Sequence, residues 1–244
     1  MSICPEAPWE SYSYQTEEGP VIVGFYTEAP RLDRAAHPYC ARVLIPIQAP
    51  TPQGGPAGDE VQALWAMEDA LVAALDAARV PCIMIGRLTH GGIRELIFQV
   101  ADYAPFRPPV GRWMQAQPGY EIDVSEHDGW DFFFESVWPS ENSWLLIMDR
   151  RVVDELVASG SDAAKEHSLE FVFCGDPTAL ASLQPRLESR GYRLHEFAPD
   201  QSRLVMAKSL PLDVSAIFGE SLAHKDECAQ LGLEYNGWGA TVVS

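Results

Sequence analysis

The last third of the chain, residues 168–244, alternates strand-like and helix-like stretches in the order β-α-β-β-α-β. The first strand-like run, LEFVFCG at 169–175, is short and rich in β-branched and aromatic residues, as β-strands are. The helix after it is framed by Asp176, a good N-cap residue, and by Gly191 just past its end. This order of elements predicts a ferredoxin-like domain, in which two helices cover one face of an antiparallel sheet.

The final stretch, EYNGWGATVV at 234–243, contains two aromatic residues and two glycines, whereas chain ends are commonly polar and poorly ordered. A ferredoxin-like domain needs a last strand that pairs within the sheet, and this stretch supplies it. Gly237 and Gly239 permit backbone angles that residues with a Cβ avoid. Trp238 is expected to cover the edge of the sheet or the last helix. The stretch therefore predicts a structured turn and a closing strand.

Residues 1–160 show a less regular pattern, β-β-α-β-β-(α)-β, which we interpret as a second α+β domain and a decorated relative of the same plan. Apolar residues recur at helical spacing over 59–79, and 81–101 reads as a hairpin. The small, polar stretch 159–168 is expected to link the two domains, which would then span 1–160 and 168–244. The predicted fold class is α+β with two domains.

The chain is strongly acidic, with 17 lysine and arginine residues against 35 aspartate and glutamate residues and a net charge of −18. A field of this sign repels nucleic-acid phosphates and anionic membranes and attracts basic partners. We therefore predict a protein partner and no direct contact with nucleic acid or membrane. No apolar run approaches the ~20 residues that span a bilayer, and the N-terminus lacks the basic and apolar parts of a signal peptide. A cytoplasmic location is expected.

The sequence has none of the common catalytic or cofactor-binding fingerprints. It contains neither nucleotide-binding glycine motif and no G-x-S-x-G elbow. Its five cysteines are widely spaced without a C-x-x-C pair, which favours small buried thiols in a reducing compartment over a disulfide framework or a zinc cluster. We therefore expect no cofactor, no metal and no catalytic residues.

The stretch EIDVSEHDGWDFFFE at 121–135 holds six acidic residues and no basic residue. An alignment on Gly129 as the glycine of a calcium-binding loop puts Val124, which has no ligand oxygen, at the first ligand position. The stretch is therefore not predicted to bind calcium. Two interpretations stay open: a strand followed by a solvated acidic turn, or a phosphate-mimicking surface in which carboxylates and aromatic rings engage a basic groove.

A group of charged residues, Arg87, His90 and Arg94, surrounds a predicted turn at Gly91–Gly92. Two interpretations are again open. The three side chains could form a pocket for a small anion, or they could be solvated separately beside the turn.

Three stretches resemble two known families. GLEYNGWGATVV at 232–243 resembles the end of the regulator of ribonuclease E activity B family, with matches at Gly232, Tyr235, Asn236, Gly237, Trp238 and Gly239. GRLTHGGIRELIF at 86–98 and WDFFFESVWPSENSWLLIMDRRVV at 130–153 resemble a family known as domain of unknown function 695. The resemblance implies a small acidic regulator that binds the degradosome ribonuclease and lowers its activity by protein contact, without chemistry of its own.

Three functional hypotheses follow. The leading one is a non-enzymatic acidic protein that binds and inhibits a basic partner, with a ribonuclease as the first candidate. Its predicted contact residues are Trp130, Trp138, Tyr235, Trp238, Asp128 and Asp131. One alternative is an immunity protein that neutralises a secreted bacterial toxin. The other is a small-anion-binding or hydrolytic enzyme that uses Arg87, His90 and Arg94.

Overall fold

The computed structural model describes residues 3–6 and 8–243. The chain forms two compact units, of which the first ends at Pro139 and the second begins at Ser140. This division differs from the predicted link at 159–168. The difference arises because helix Glu141–Ala158 packs on the last helix of the chain, and its side chains Val153 and Leu156 join the core of the second unit. A polar stretch after a helix therefore did not mark the domain boundary.

The first unit contains one antiparallel sheet and two helices. Its strands in chain order are β1 (Trp9–Thr16), β2 (Gly19–Tyr26), β3 (Tyr39–Pro46), β4 (Cys82–His90), β5 (Ile93–Val100) and β6 (Asp123–Asp128). Helix α1 is Glu60–Ala77 and follows β3, and helix α2 is Tyr103–Gln115 and follows β5. The strands lie in the spatial order β1-β2-β4-β5-β3-β6.

The first unit is a ferredoxin-like core with an added hairpin. Its elements from β3 to β6 follow the order β-α-β-β-α-β, and their strands lie as β6-β3-β5-β4, which is the arrangement of a split βαβ domain. Side chains of α1 and α2, such as Leu64 and Phe106, pack on Val43 and Phe98 of the sheet. The hairpin β1–β2 extends the sheet beyond β4. The prediction of a decorated relative of the same plan is confirmed.

The other face of the first sheet is covered by aromatic residues just before Pro139. Phe133, in a short π-helical turn Phe133–Val137, is fully buried. The Trp138 ring lies 5.5 Å from the Phe25 ring of β2, centroid to centroid. The Trp130 Nε1–H donates a 2.9 Å hydrogen bond to the carbonyl of His37. Trp130 and Phe133 therefore cover the sheet and are not exposed for stacking on a partner, whereas the acidic residues Asp128, Asp131 and Glu135 are exposed.

The second unit is the ferredoxin-like domain that the sequence predicts. Its elements are α3 (Glu141–Ala158), β7 (His167–Cys174), α4 (Pro177–Ser189), β8 (Arg193–Ala198), β9 (Arg203–Leu210), α5 (Val214–Leu231) and β10 (Glu234–Gly239). The strands lie in the antiparallel order β10-β7-β9-β8. The side chain of Asp176 accepts hydrogen bonds from the Thr178 and Ala179 amides, so the predicted N-cap is confirmed. The elements from β7 to β10 form the β-α-β-β-α-β core, and helix α3 is added before it.

Within residues 3–6 and 8–243, no helix is long and apolar enough to cross a membrane. Over the same residues, no disulfide joins any cysteines, and no three His, Cys, Asp or Glu side chains cluster so that they could hold a metal ion.

Gly86 of β4 is required by the close approach of the covering segment. A Cβ at this position would lie 2.6 Å from Cγ1 of Val137, well inside van der Waals contact. We expect Gly86→Ala to lower the free energy of unfolding by about 1–3 kcal/mol, the range for overpacking a core. In a Val137→Ala background, where that Cγ1 is absent, the same change should cost less. Urea unfolding of the wild type, both single variants and the double variant checks this, and strictly additive costs would contradict it.

Candidate functional site

The closing motif owes its shape to an irregularity in β10. Residues of a strand alternate between the two faces of a sheet, so Tyr235 and Trp238 would lie on opposite faces of a regular strand. The pairing of β10 with β7 shifts between them, and Gly237 has a φ of +81°, which favours glycine. As a result Tyr235 pairs with Phe173 and Trp238 pairs with Phe171, and both aromatic rings face the helices.

Trp238 joins the closing strand to two helices through a buried carboxylate. Its Nε1–H donates a 2.8 Å hydrogen bond to Oδ1 of Asp149 on α3. The hydroxyl of Ser221 on α5 donates to the same oxygen at 3.1 Å. Because the single Ser221 proton is used there, the Tyr235 hydroxyl, 3.1 Å from Ser221 Oγ, is the donor in that pair. The motif therefore ties β10, α3 and α5 together.

Burial makes the ionised form of Asp149 energetically costly. The residue is 3% exposed, and burial raises the pKa of its carboxyl group, although the hydrogen bonds from Trp238 and Ser221 oppose the shift. Its second oxygen, Oδ2, is buried and has no hydrogen-bond partner among the described residues. Without the indole donor, the ionised carboxylate would lose one of its two stabilising contacts.

His224 lies in the same core and is fully buried. Its ring packs edge-on against Phe171 and Phe173. The Tyr192 hydroxyl donates to Glu220 at 2.5 Å, so His224 Nε2, 2.7 Å from that hydroxyl, carries the proton and donates to it. Burial lowers the pKa of His224 to about 4. The imidazole is therefore neutral at neutral pH and acts as a packing and hydrogen-bonding group.

An apolar groove adjoins the network on the outside of the second unit. The groove has a volume of about 540 Å³ and lies between α3, α5 and the start of β10. Met148, Leu145 and Trp144 line one wall, and the ring of Tyr235 lines the opposite one. Met148 is 49% exposed, and its Sδ accepts a 3.7 Å hydrogen bond from Arg151 Nη1 on the same helix. Such a groove fits an apolar side chain of another protein.

Charged side chains border one end of this groove. Lys225 Nζ on α5 donates 2.9 Å hydrogen bonds to Oε2 of Glu141 and to the side-chain oxygen of Asn142 at the start of α3. Glu234 lines the groove and is exposed. The arrangement, an apolar floor with a polar and acidic rim, is typical of protein-recognition sites.

The predicted contact residues differ in how deeply they are buried. Trp130 and Trp238 are 5% and 9% exposed, so the prediction that they are surface anchors is wrong: each indole N–H is satisfied inside its own unit. Trp138 is half-buried against Phe25. Asp128 and Asp131 are exposed on the first unit.

Of the predicted contact residues, Tyr235 alone lines the groove. The sequence analysis missed Met148 as a binding residue because its helical spacing with Trp144 and Ile147 is equally typical of a core face. In the structure Ile147 is fully buried, whereas Met148 is turned outward.

Arg87, His90 and Arg94 do not form one pocket. Arg87 and Arg94 both lie next to the buried Glu68 of α1, with Arg87 Nη2 2.5 Å from Glu68 Oε1. His90 instead lies 2.8 Å from Oε1 of Glu95. Since Arg94 and Glu95 are consecutive residues of β5, they point to opposite faces of the sheet. The predicted anion pocket is therefore divided between the two faces.

A cleft of about 510 Å³ lies on the face of the first sheet that carries His90. Its floor contains Glu95, which is 2% exposed and accepts a 2.8 Å hydrogen bond from Arg42 Nε at its second oxygen. The hairpin β1–β2 supplies Tyr14, Glu17 and Glu18 to the wall. The charges of Arg42 and Glu95 balance each other, which leaves the wall acidic.

Two family models match the chain. The family of unknown function DUF695 matches residues 7–137, and regulator of ribonuclease activity B matches residues 146–240. These spans lie on either side of the division between Pro139 and Ser140, and they confirm the two resemblances read from the sequence.

A comparison with curated proteins finds no match. A solved structure similar to the chain is described as "Crystal Structure of an Unknown Protein from Galdieria sulphuraria". It is 12% identical over 84% of this chain and 99% of that chain, with a TM-score of 0.20.

We expect Trp238→Phe to destabilise the second unit by about 2–4 kcal/mol, because it removes ring volume and a donor to a buried carboxylate. The loss of stability should be larger at neutral than at mildly acidic pH. Without the indole donor, the pKa of Asp149 in the folded state rises further, because only the ionised carboxylate loses a stabilising hydrogen bond. The variant is therefore destabilised most at a pH where Asp149 is ionised. Urea unfolding at the two pH values measures this. In an Asp149→Asn background the pH dependence of the effect should vanish, and its persistence would contradict the assignment.

His224 should make the second unit sensitive to acid. Its pKa is about 4 when folded and 6.5 unperturbed, so between these values the unfolded chain binds the extra proton and stability falls as the pH falls. We expect His224→Phe to reduce that loss by about 3 kcal/mol. Hydrogen exchange of the β7 and β9 amides reports the stability of this unit. Phe173→Leu is the control, because it removes packing without a titratable group and should leave the pH dependence unchanged.

Proposed function

The chain belongs to the family of unknown function DUF695, and from this membership, together with its second match, we propose that it is a non-enzymatic regulator that binds a ribonuclease and lowers its activity. The observation that carries the proposal is the apolar groove of the second unit. The match to regulator of ribonuclease activity B spans Met148, Tyr235 and the buried contacts of Trp238 that hold the walls of the groove in place.

Electrostatics supports a ribonuclease as the partner. An enzyme that binds RNA presents basic surface to phosphates, and the chain carries a net charge of −18. Long-range attraction between such surfaces speeds encounter, while a few apolar contacts in a dry groove supply most of the affinity. In the proposed mechanism an apolar side chain of the ribonuclease enters the groove beside Met148, and basic groups around it meet Glu234. The regulator then blocks access to RNA. The proposal requires the cytoplasmic location that the sequence predicts.

The buried groups of the second unit support a role without chemistry. Two of the titratable residues with shifted pKa values there are Asp149, whose pKa is raised, and His224, whose pKa is lowered, and they are only 3% and 0% exposed. A substrate atom would need direct contact with such a group for it to act as a general acid or base. Their interactions instead fix the helices that form the groove.

The test measures cleavage of a labelled RNA by purified ribonuclease E, with and without the full-length protein. We expect the protein to lower the cleavage rate and to form a complex on a sizing column. Met148→Lys places a charge in the groove and should weaken binding by at least about tenfold.

Val157→Lys is the matched control, since Val157 is also an exposed apolar residue of α3, at 44%, and does not line the groove. It should bind and inhibit like the wild type. An unchanged cleavage rate with no complex would overturn the proposed function. Equal losses of binding in both variants would show that the partner does not contact the groove, which would contradict the proposed site.

A further inference from the structure

Strand β1 differs from the other edge strands of the described chain. Natural proteins protect sheet edges with charges, bulges or cover. β6 carries three acidic residues, and both β8 and β10 contain a register shift. β1 pairs with β2 through eight consecutive residue pairs without a shift, and Glu10 is its single charged residue. In the part of the chain that the structure describes, no strand pairs with its outer edge.

The backbone of β1 presents alternate hydrogen-bonding groups to solvent. Residue pairs of antiparallel strands alternate between a doubly hydrogen-bonded type and a type without such bonds. Gln15 pairs with Pro20, which has no N–H, so this pair is of the second type. By alternation, Ser13 and Ser11 direct their N–H and C=O groups away from β2, as Gln15 does. These groups form a template for an added strand.

The side chains of β1 are of the kind that recognition surfaces use. The strand reads WESYSYQT, and its residues from Ser13 to Thr16 are all exposed. Tyr14 is 40% exposed. Tyrosine supplies large contact area at low cost in conformational entropy, and serine supplies adaptable hydrogen bonds.

The charge around β1 selects a basic occupant. Residues 1–30 contain no lysine or arginine, and their five acidic residues are Glu6, Glu10, Glu17, Glu18 and Glu28. Glu17 and Glu18 form the turn at one end of β1 and also line the 510 Å³ cleft, which offers room for a long side chain. A second copy of this chain would bring the same glutamates near each other, which is unfavourable.

We propose that β1 is a docking edge for an extended segment of a basic partner protein, which adds as a strand beyond β1 and places a lysine or arginine side chain near Glu17 and Glu18. The backbone groups of Ser11, Ser13 and Gln15 form the added ladder, and the two glutamates of the turn select the charge. This edge lies in the unit that DUF695 matches. The groove lies in the second unit, so this proposal does not rest on the groove or on the function proposed for it.

The test uses a fluorescent synthetic peptide of alternating threonine and valine with lysine at both ends, and a matched peptide with glutamate at both ends. By fluorescence anisotropy, the lysine-ended peptide should bind the full-length protein saturably and more weakly at high salt, whereas the glutamate-ended peptide should not bind. Ser13→Pro removes one outward N–H at an edge position, where proline is tolerated. It should weaken binding by about tenfold or more, while Ser13→Ala should not.

Two double variants with the same change of net charge distinguish the effect of the turn glutamates from the effect of the protein's overall charge. Glu17→Lys with Glu18→Lys should abolish binding of the lysine-ended peptide. Asp69→Lys with Asp76→Lys makes the same change of net charge on exposed positions of α1 and should leave most of the affinity intact. This pair also decides the question if Ser13→Pro fails to fold.

Four results of these binding experiments would overturn the proposal. They are no saturable binding by the wild type, equal binding of the two peptides, wild-type affinity in a folded Ser13→Pro variant, and equal effects of the two charge variants. Self-association of the protein alone that Ser13→Pro abolishes would also overturn it, because a second copy would then occupy the edge.

Discussion

The contact between the Trp238 indole and the Asp149 carboxylate determines how the second unit is built. A buried carboxylate is costly unless donors reach it, and here one donor comes from the closing strand and the other from α5. The bulge at Gly237 is what turns Trp238 toward the helices. Because Asp149 lies on α3, the contact also binds that helix to the ferredoxin-like core. The groove, whose walls are α3, α5 and Tyr235, exists as a consequence.

The sequence predicts the plan of both units better than their contacts. Element order and the Asp176 cap were sufficient for the ferredoxin-like domain, because they depend on local backbone chemistry. The domain boundary differs from the prediction because α3 joins the second unit through the buried side chains Val153 and Leu156 and through the bond from Ser221 to Asp149. Helical spacing does not show which core an apolar face packs on, nor does it distinguish Asp149 from an exposed aspartate. The prediction that Trp130 and Trp238 are surface anchors fails because a tryptophan in an acidic or terminal stretch does not reveal where its N–H is satisfied. That depends on His37 and Asp149, which are remote in sequence.

Both units repeat one plan, and each candidate surface lies on what has been added to it. The first unit gains the hairpin β1–β2, which provides an unprotected edge. The second gains α3, which provides a wall of the groove. The shared core is needed for folding and has little freedom to change, since its side chains fill both faces of each helix–sheet interface. An added element needs to bury one face only, so its other face is available for a partner.

The distribution of charge connects these two surfaces. Two arginines of the first unit form ion pairs with buried glutamates of the same unit: Arg87 pairs with Glu68, and Arg42 pairs with Glu95. Each pair is electrically balanced and contributes little to the field outside the protein. The hairpin β1–β2 carries Glu10, Glu17 and Glu18 and no lysine or arginine, so it adds net negative charge at this end of the sheet. A negative field of this kind acts over roughly 10 Å at moderate ionic strength. In the two proposals, the groove would accept an apolar side chain and the edge would accept an extended backbone, and the negative charge would favour basic partners at both.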